Sequence, residues 1–75
     1  MAKLPRLSGK EVIKALSKAG FVSARQKGSH VILIKQTGEG KIVTVVPLHS
    51  EIDTGTLLEI IRQSKLTREE FLALL

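Results

Sequence analysis

The stretch at residues 21–46 most constrains the fold, because it contains three strand-like segments joined by short connections. Residues 21–26 and 29–35 are separated by a Lys-Gly turn signal, and the second of them contains a run of four apolar residues. A loop with two glycines leads to residues 41–46, which Pro47 ends because proline cannot donate to a ladder. Connections this short favour antiparallel pairing, so the sequence predicts a three-stranded antiparallel meander.

A helix is predicted before the meander. Ser8 and Glu11 fit a capping box, in which each side chain satisfies an amide at the start of the helix. Apolar residues follow at helical spacing, and Gly20 is placed to end the helix as a left-handed cap, so the helix covers residues 9–19. Another side of this helix carries three lysines spaced four residues apart: Lys10, Lys14 and Lys18.

Two helices are predicted after the meander. One begins at residues 55–57 with Thr56 and Glu59 as its capping box, and a further box at residues 67–70 opens a short C-terminal helix. The order is therefore α-β-β-β-α with a small extra helix, an α+β fold in which helices pack on one face of the sheet. The second and third strands are apolar at nearly every position, so periodicity leaves open which face meets the helices.

Length and charge narrow the functional classes. The 75 residues form one domain, residues 1–75, which excludes enzymes built from separate cofactor and substrate domains. The formal charge of +5 is uneven: residues 1–50 carry nine basic and two acidic side chains (+7), and residues 51–75 carry three basic and five acidic (−2). A basic surface of this kind suits a polyanion. Residues 1–6 are expected to form a flexible basic tail.

Missing residue types exclude further classes. The chain has no cysteine, which rules out disulfides, thiolate zinc sites and a cysteine nucleophile. It lacks Trp and Tyr, which argues against binding single strands on an aromatic platform. No apolar run reaches the roughly 18 residues of a membrane span, and the N-terminus lacks the apolar core of a signal peptide. We therefore expect a soluble, cytoplasmic protein with no cofactor and no membrane partner.

His30 is the first candidate for chemistry, because histidine titrates near neutral pH. It follows the Lys-Gly turn, where Gly28 permits both a tight turn and the close approach of a substrate. Ser29 and His30 are expected to project from a strand edge among cations that attract phosphate, a setting that favours a general base. Those cations are Arg25, Lys27 and Lys35. The alternative is an ordinary surface histidine near a turn.

His49 is the second titratable candidate. Its structural alternative is an imidazole that bonds to nearby backbone and holds the loop leading into the second helix. A metal pair of His30 and His49 would draw a further ligand from Glu51 or Asp53, and that spacing matches no known ligand pattern. No metal site is therefore predicted.

Four short motifs, taken together, resemble a known family. They are, in order, Gly20-Phe21, Gly28-Ser29-His30, Pro47-Leu48-His49 and Gly55-Thr56-Leu57. Their order and spacing are similar to those of the HicA toxins of prokaryotic toxin–antitoxin modules. The resemblance extends from about residue 7 to residue 71.

The resemblance implies a fold like that of double-stranded-RNA-binding domains, which agrees with the element order. It implies an endoribonuclease that cleaves mRNA and arrests translation, with the catalytic histidine at His30. It also implies a HicB-type antitoxin that covers the active site, so that the toxin is a monomer when free and part of a hetero-oligomer when bound. The RNA-binding candidates are Lys10, Lys14, Arg25, Lys27, Ser29 and Lys35, with Gly28 and His49 as secondary candidates.

A metal-free mechanism follows from these residues. His30 would take the proton of a ribose 2′-OH, whose oxygen then attacks the adjacent phosphate. Arg25, Lys27 or a lysine of the first helix would stabilise the developing negative charge. His49, a lysine and water all stay open as the group that protonates the leaving oxygen.

Two other functions also stay open. One is a non-catalytic double-stranded-RNA-binding module, which shares the fold and the basic surface but needs no histidine at the turn. The other is a basic interaction protein that docks an acidic partner.

Overall fold

The computed structural model describes residues 4–75, which form three helices and one sheet. In chain order the elements are α1 (Gly9–Lys18), β1 (Val22–Lys27), β2 (His30–Thr37), β3 (Gly40–Pro47), α2 (Thr54–Gln63) and α3 (Arg68–Leu72). The strands pair antiparallel in the order β1-β2-β3. This arrangement confirms the predicted α+β fold, an α-β-β-β-α domain like those that bind double-stranded RNA, with a short C-terminal helix.

The N-terminal segment lies against the domain from Leu4 onward. Residues 1–3 of the predicted tail lie outside the described residues. Leu4 is half-buried against the core, and Leu7 is buried and forms an antiparallel bridge with Ile52. Because exposed ion pairs contribute little, the 3.7 Å contact of Arg6 with an acidic side chain adds less than these two leucines. The flexible tail itself stays a prediction.

Alternating buried residues identify the face of the sheet that the helices cover. Val31 and Leu33 are buried in β2, and Thr44 and Val46 are buried in β3. Since successive side chains of a strand point to opposite faces, these four share the face that meets the helices. The buried Thr44 hydroxyl donates to Gln63 of α2 over 2.8 Å. The rest of the core comes mainly from the helices and their flanks: Leu7, Val12, Ala15, Leu16, Phe21, Ile52, Leu57, Ile60, Ile61 and Phe71.

Two of the three predicted capping boxes are present. At the start of α1, the Ser8 hydroxyl accepts from the Glu11 amide at 3.2 Å, and the Glu11 carboxylate accepts from the Ser8 amide at 2.9 Å. Thr67 and Glu70 make the same exchange at α3, at 3.0 and 2.8 Å. Because these bonds satisfy amides that the helix leaves unpaired, they fix both helix starts where the sequence predicts them.

The capping box predicted at Thr56 and Glu59 is wrong. α2 begins at Thr54, and its N-cap is Asp53, whose carboxylate accepts from the hydroxyl and the amide of Thr56 at 2.7 and 3.0 Å. These two bonds, the hydroxyl first, stabilise the charged carboxylate and lower the pKa of Asp53. Glu59 instead accepts hydrogen bonds from Arg62, within the same helix.

Candidate functional site

His30 begins β2, immediately after a two-residue turn. Its direct partner across the strands is Lys27, the last residue of β1, so only Gly28 and Ser29 connect the two strands. Gly28 has a φ of 60°, which is the backbone region that a tight hairpin turn demands of glycine at this position. The side chain of His30 is exposed. The turn therefore presents His30 beside Lys27 at one end of the sheet.

His30 lies on the open face of the sheet, which we define as the face opposite the helices. Val31 and Leu33 are buried beneath the helices, so alternation along β2 places His30, Ile32 and Ile34 on the open face. Consecutive residues on one face are about 7 Å apart along a strand. His30 is therefore one such step from Ile32.

A β-bulge in β1 brings two cations to the open face. The pairing with β2 shifts register at residue 24, which has no partner in β2. One extra residue reverses the alternation, so Arg25 lies opposite Ile32 and Lys27 lies opposite His30. Arg25 and Lys27 consequently share a face with His30, as the sequence predicts for these two residues.

Lys35 is not brought together with His30, and its predicted place beside that residue is wrong. The two residues are five apart in β2, and an odd separation in a strand gives opposite faces. The Lys35 side chain passes close to Gly20, and its ammonium lies 5.9 Å from the centroid of the Phe21 ring. This cation–π contact lies at the residues that follow α1, on the face of the sheet that the helices cover.

Backbone hydrogen bonds join three distant segments at the His30 end of the domain. The Leu48 amide donates to the Ser29 carbonyl over 2.6 Å, and the Gly9 amide donates to the His49 carbonyl over 2.9 Å. The turn before β2, the exit of β3 and the start of α1 are thereby tied to one another. The side chain of Ser29, predicted to bind RNA, is exposed. The main-chain carbonyl of Ser29 accepts the hydrogen bond that joins the turn to the exit of β3.

A glycine permits the close approach of α1 to the loop after β3. A β-carbon at Gly9 would lie 2.1 Å from the carbonyl oxygen of Pro47 and 2.9 Å from the α-carbon of Leu48. Both separations are far inside van der Waals contact, so only glycine fits here without displacing the loop. Sequence reasoning missed this role because it depends on backbone that is remote in the chain.

The lysines of α1 extend away from the His30 end. Lys10 is exposed in the first turn. Lys14 and Lys18 line an open groove between α1 and residues 74–75. A helix rises about 1.5 Å per residue, so these two lie about 6 and 12 Å beyond Lys10 along the axis. Along α1, Lys10 is therefore the predicted RNA-binding lysine closest to the loop of His49.

His49 shapes the site through its main chain. Its carbonyl holds the start of α1, while its side chain is exposed. The loop is therefore held by a backbone hydrogen bond of His49. The structural alternative considered from the sequence was a bond made by its imidazole. Since Leu48 is bonded to Ser29, the residues that follow them, His49 and His30, lie at the same end of the domain.

The described residues contain neither a metal-type cluster nor a membrane-type helix. In residues 4–75, no three His, Asp or Glu side chains are grouped so as to hold a metal ion. No helix within that range combines the length and apolar character needed to cross a membrane.

Comparison with known proteins identifies the family. The comparison with curated proteins gives no match. A family model described as the HicA toxin of bacterial toxin–antitoxin matches residues 9–66. That range is more than half of the 75 residues and includes the sheet, the turn with His30 and the loop with His49. The chain therefore belongs to the HicA family and is a toxin of a bacterial toxin–antitoxin pair.

Proposed function

We propose that this toxin is a metal-independent endoribonuclease that cleaves mRNA, with His30 as its general acid/base, and that a HicB-type antitoxin inhibits it. The observation that carries the proposal is the setting of His30: exposed at the start of β2, directly opposite Lys27 and on the same face as Arg25. Such a setting suits a phosphodiester, because the cations bind the phosphate while the imidazole exchanges the proton.

In the proposed reaction, the neutral imidazole of His30 accepts the proton of a ribose 2′-OH. The 2′-oxygen attacks the adjacent phosphorus, and the bond from that phosphorus to the 5′-oxygen of the next nucleotide breaks. The products are a 2′,3′-cyclic phosphate and, once the leaving oxygen has gained a proton, a 5′-hydroxyl end. DNA is not a substrate for this reaction because it lacks the 2′-OH.

Arg25 and Lys27 are the proposed phosphate ligands. Both side chains are exposed on β1, and the bulge at residue 24 keeps them on the face of His30. The guanidinium of Arg25 can bind two phosphate oxygens at once, and the ammonium of Lys27 adds a compact charge. Acid–base catalysis typically supplies about 10²–10⁴-fold, so charge stabilisation and orientation must supply the remainder.

His49 is the proposed proton donor to the leaving oxygen. The hydrogen bond between Leu48 and Ser29 keeps the two histidine segments together, and both imidazoles are exposed at that end of the domain. An RNA whose scissile 5′-oxygen is replaced by sulfur tests this role, because the thiolate leaves without protonation. This substrate should restore cleavage by His49→Ala and not by His30→Ala.

The central experiment compares the wild type with His30→Ala, in induced cells and with purified protein and RNA. Because His30 is exposed, the variant should keep its circular dichroism spectrum and melting temperature. The wild type should arrest growth and leave cyclic-phosphate ends, and the variant should do neither. Cleavage by a folded His30→Ala protein would contradict the proposal.

Two other results would point to other functions. Salt-sensitive RNA binding by the wild type without any cleavage would favour a non-catalytic RNA-binding module. A wild type that binds a protein partner but no RNA at low salt would favour a basic interaction protein.

A further inference from the structure

We propose that Gln26 is a positioning residue for His30, because its side-chain amide holds the peptide plane between Gly28 and Ser29. The Nε2 atom of Gln26 donates a 3.1 Å hydrogen bond to the carbonyl oxygen of Gly28. Gln26 makes this contact from within β1, two residues before Gly28. The inference rests on the proposed function of His30, and its test includes a measurement of the turn that needs no RNA.

The two-residue turn before His30 has the dihedral signature of type II′. Gly28 has a φ of 60° and Ser29 has a negative φ, whereas a type I′ turn needs positive φ at both central residues. The two turn types differ by a flip of the peptide plane that contains the Gly28 carbonyl. A donor that binds this carbonyl therefore favours one turn type over the other.

Packing does not fix the peptide plane of the turn. Glycine adopts both signs of φ at low cost. In residues 4–75, no heavy atom other than those of its chain neighbours lies within 4 Å of the place that a β-carbon of Gly28 would occupy. The side chain of Ser29 disfavours a positive φ and so biases the turn toward type II′. The hydrogen bond from Gln26 adds to that bias.

A flip of this plane would reach His30 through Ser29. The flip changes the φ of Ser29, whose carbonyl carbon is bonded to the His30 nitrogen and whose carbonyl oxygen accepts the 2.6 Å bond from Leu48. Both carbonyls of the turn are therefore held, one by the side chain of Gln26 and the other by the main chain of Leu48. Loss of the first bond loosens the backbone directly before His30.

Gln26 acts from the side of the sheet opposite His30. Its partner in β2 is Val31, which is buried beneath the helices, and residues directly opposite each other share a face. Gln26 is itself exposed, so water can replace its bond in a variant and no buried group is left unpaired. A substitution at Gln26 should therefore alter the turn and the cleavage rate while RNA binding and stability are largely kept.

The test removes the donor with a side chain of similar length. Gln26→Met cannot donate, Gln26→Arg restores a donor, and Gln36→Met is the matched control, because Gln36 is also exposed on a strand. The residual dipolar coupling of the Ser29 amide reports the orientation of the peptide plane in the free protein. Single-turnover cleavage at saturating RNA and the affinity of a non-cleavable 2′-deoxy-substituted RNA separate catalysis from binding.

Gln26→Met should change the Ser29 coupling and lower the cleavage rate about threefold to tenfold, the range that one hydrogen bond of ordinary net strength represents. Its RNA affinity and the shape of its pH profile should equal those of the wild type, because Gln26 lies away from the open face and does not titrate. Its melting temperature should stay within about 4 °C of the wild-type value. Gln26→Arg should restore the cleavage rate, and Gln36→Met should match the wild type throughout.

An unchanged Ser29 coupling or an unchanged cleavage rate in Gln26→Met would overturn the proposal, as would an equal loss of rate in Gln36→Met. Weaker RNA binding by Gln26→Met with a normal rate at saturating RNA would also overturn it. Failure of the proposed function is recognised separately, because a folded His30→Ala protein would then cleave RNA. A changed Ser29 coupling in Gln26→Met would still support the hold of Gln26 on the turn.

Discussion

The amide of Leu48 donates a 2.6 Å hydrogen bond to the carbonyl of Ser29, and this bond clamps the exit of β3 to the turn that presents His30. Neither residue carries chemistry of its own in the proposed reaction. Their contact fixes the backbone immediately before each of the two histidines. The position of His30 therefore depends on main-chain geometry that glycines and loop lengths control.

Gly9→Ala should destabilise the protein by more than about 2 kcal/mol. The added methyl would lie 2.1 Å from the carbonyl oxygen of Pro47, and well-packed regions relax poorly around such insertions. Urea unfolding measures the effect. Gly38→Ala is the control, because a methyl there meets no atom within 4 Å, and it should change the free energy of unfolding by no more than about 0.5 kcal/mol. Similar values for the two variants would contradict the close approach of α1.

Gly28→Ala should reduce cleavage through the backbone of the turn. Its φ of 60° disfavours any side chain, although the surrounding space is empty. We expect a loss of about 1 kcal/mol in the free energy of unfolding and a larger loss in cleavage rate, because the strained turn misplaces His30. Thermal unfolding and single-turnover cleavage measure the two effects. A cleavage rate equal to that of wild type would show that the turn does not position the histidine.

Lys27→Gln and Lys35→Gln should differ in their effect on RNA affinity. Lys27 is the direct partner of His30, whereas Lys35 lies on the opposite face beside the ring of Phe21. Loss of one phosphate contact should weaken binding and lower the salt dependence of log K by about one. The affinity of a non-cleavable 2′-deoxy-substituted RNA, measured across a range of salt concentrations, checks this. If Lys35→Gln had the larger effect, RNA would have to contact the helical face.

Asp53→Asn should flatten the acid dependence of stability. The Thr56 hydroxyl and amide lower the pKa of Asp53 in the folded state. The stabilisation from this shift is complete above the ordinary aspartate value of about 3.9 and is lost as the pH falls through the folded pKa. Asparagine keeps the cap but cannot ionise. The melting temperature of the wild type should therefore fall more than that of the variant between about pH 6 and pH 3. Parallel curves would contradict the charged cap.

The element order could be predicted because each element carries a local signal. Ser8 and Glu11 mark the start of α1, and the Lys-Gly turn marks the first hairpin. The predicted start of α2 is wrong because two residues able to cap a helix stand close together in the sequence. Asp53 and Thr56 both suit an N-cap, and only the structure shows that the carboxylate of Asp53 accepts both bonds from Thr56.

The candidate site was only partly predictable. The Lys-Gly signal predicts the turn at Gly28 and therefore the place of His30 just after it. The bulge at residue 24 has no signal in the sequence, yet it decides the face on which Arg25 lies. The run of apolar residues in β2 does not indicate which side the helices cover, so Ile32 and Ile34 of the open face could not be separated from Val31 and Leu33 of the core. Lys35 could have been excluded from its strand position alone, since an odd separation from His30 gives the opposite face.

The bulge also makes the β1 margin of the sheet a poor template for a further strand. β1 and β3 are the two margins of the sheet, and unpaired backbone groups at a margin recruit further strands. In β1 the extra residue breaks the even spacing that an incoming strand would need, and in β3 Pro47 supplies no donor. Val22, Val43 and Val45 are exposed on β1 and β3, and exposed apolar strands carry a risk of fibrous aggregation. The irregularity in β1 lowers that risk because it denies an incoming strand a regular ladder, and it leaves the valine side chains uncovered.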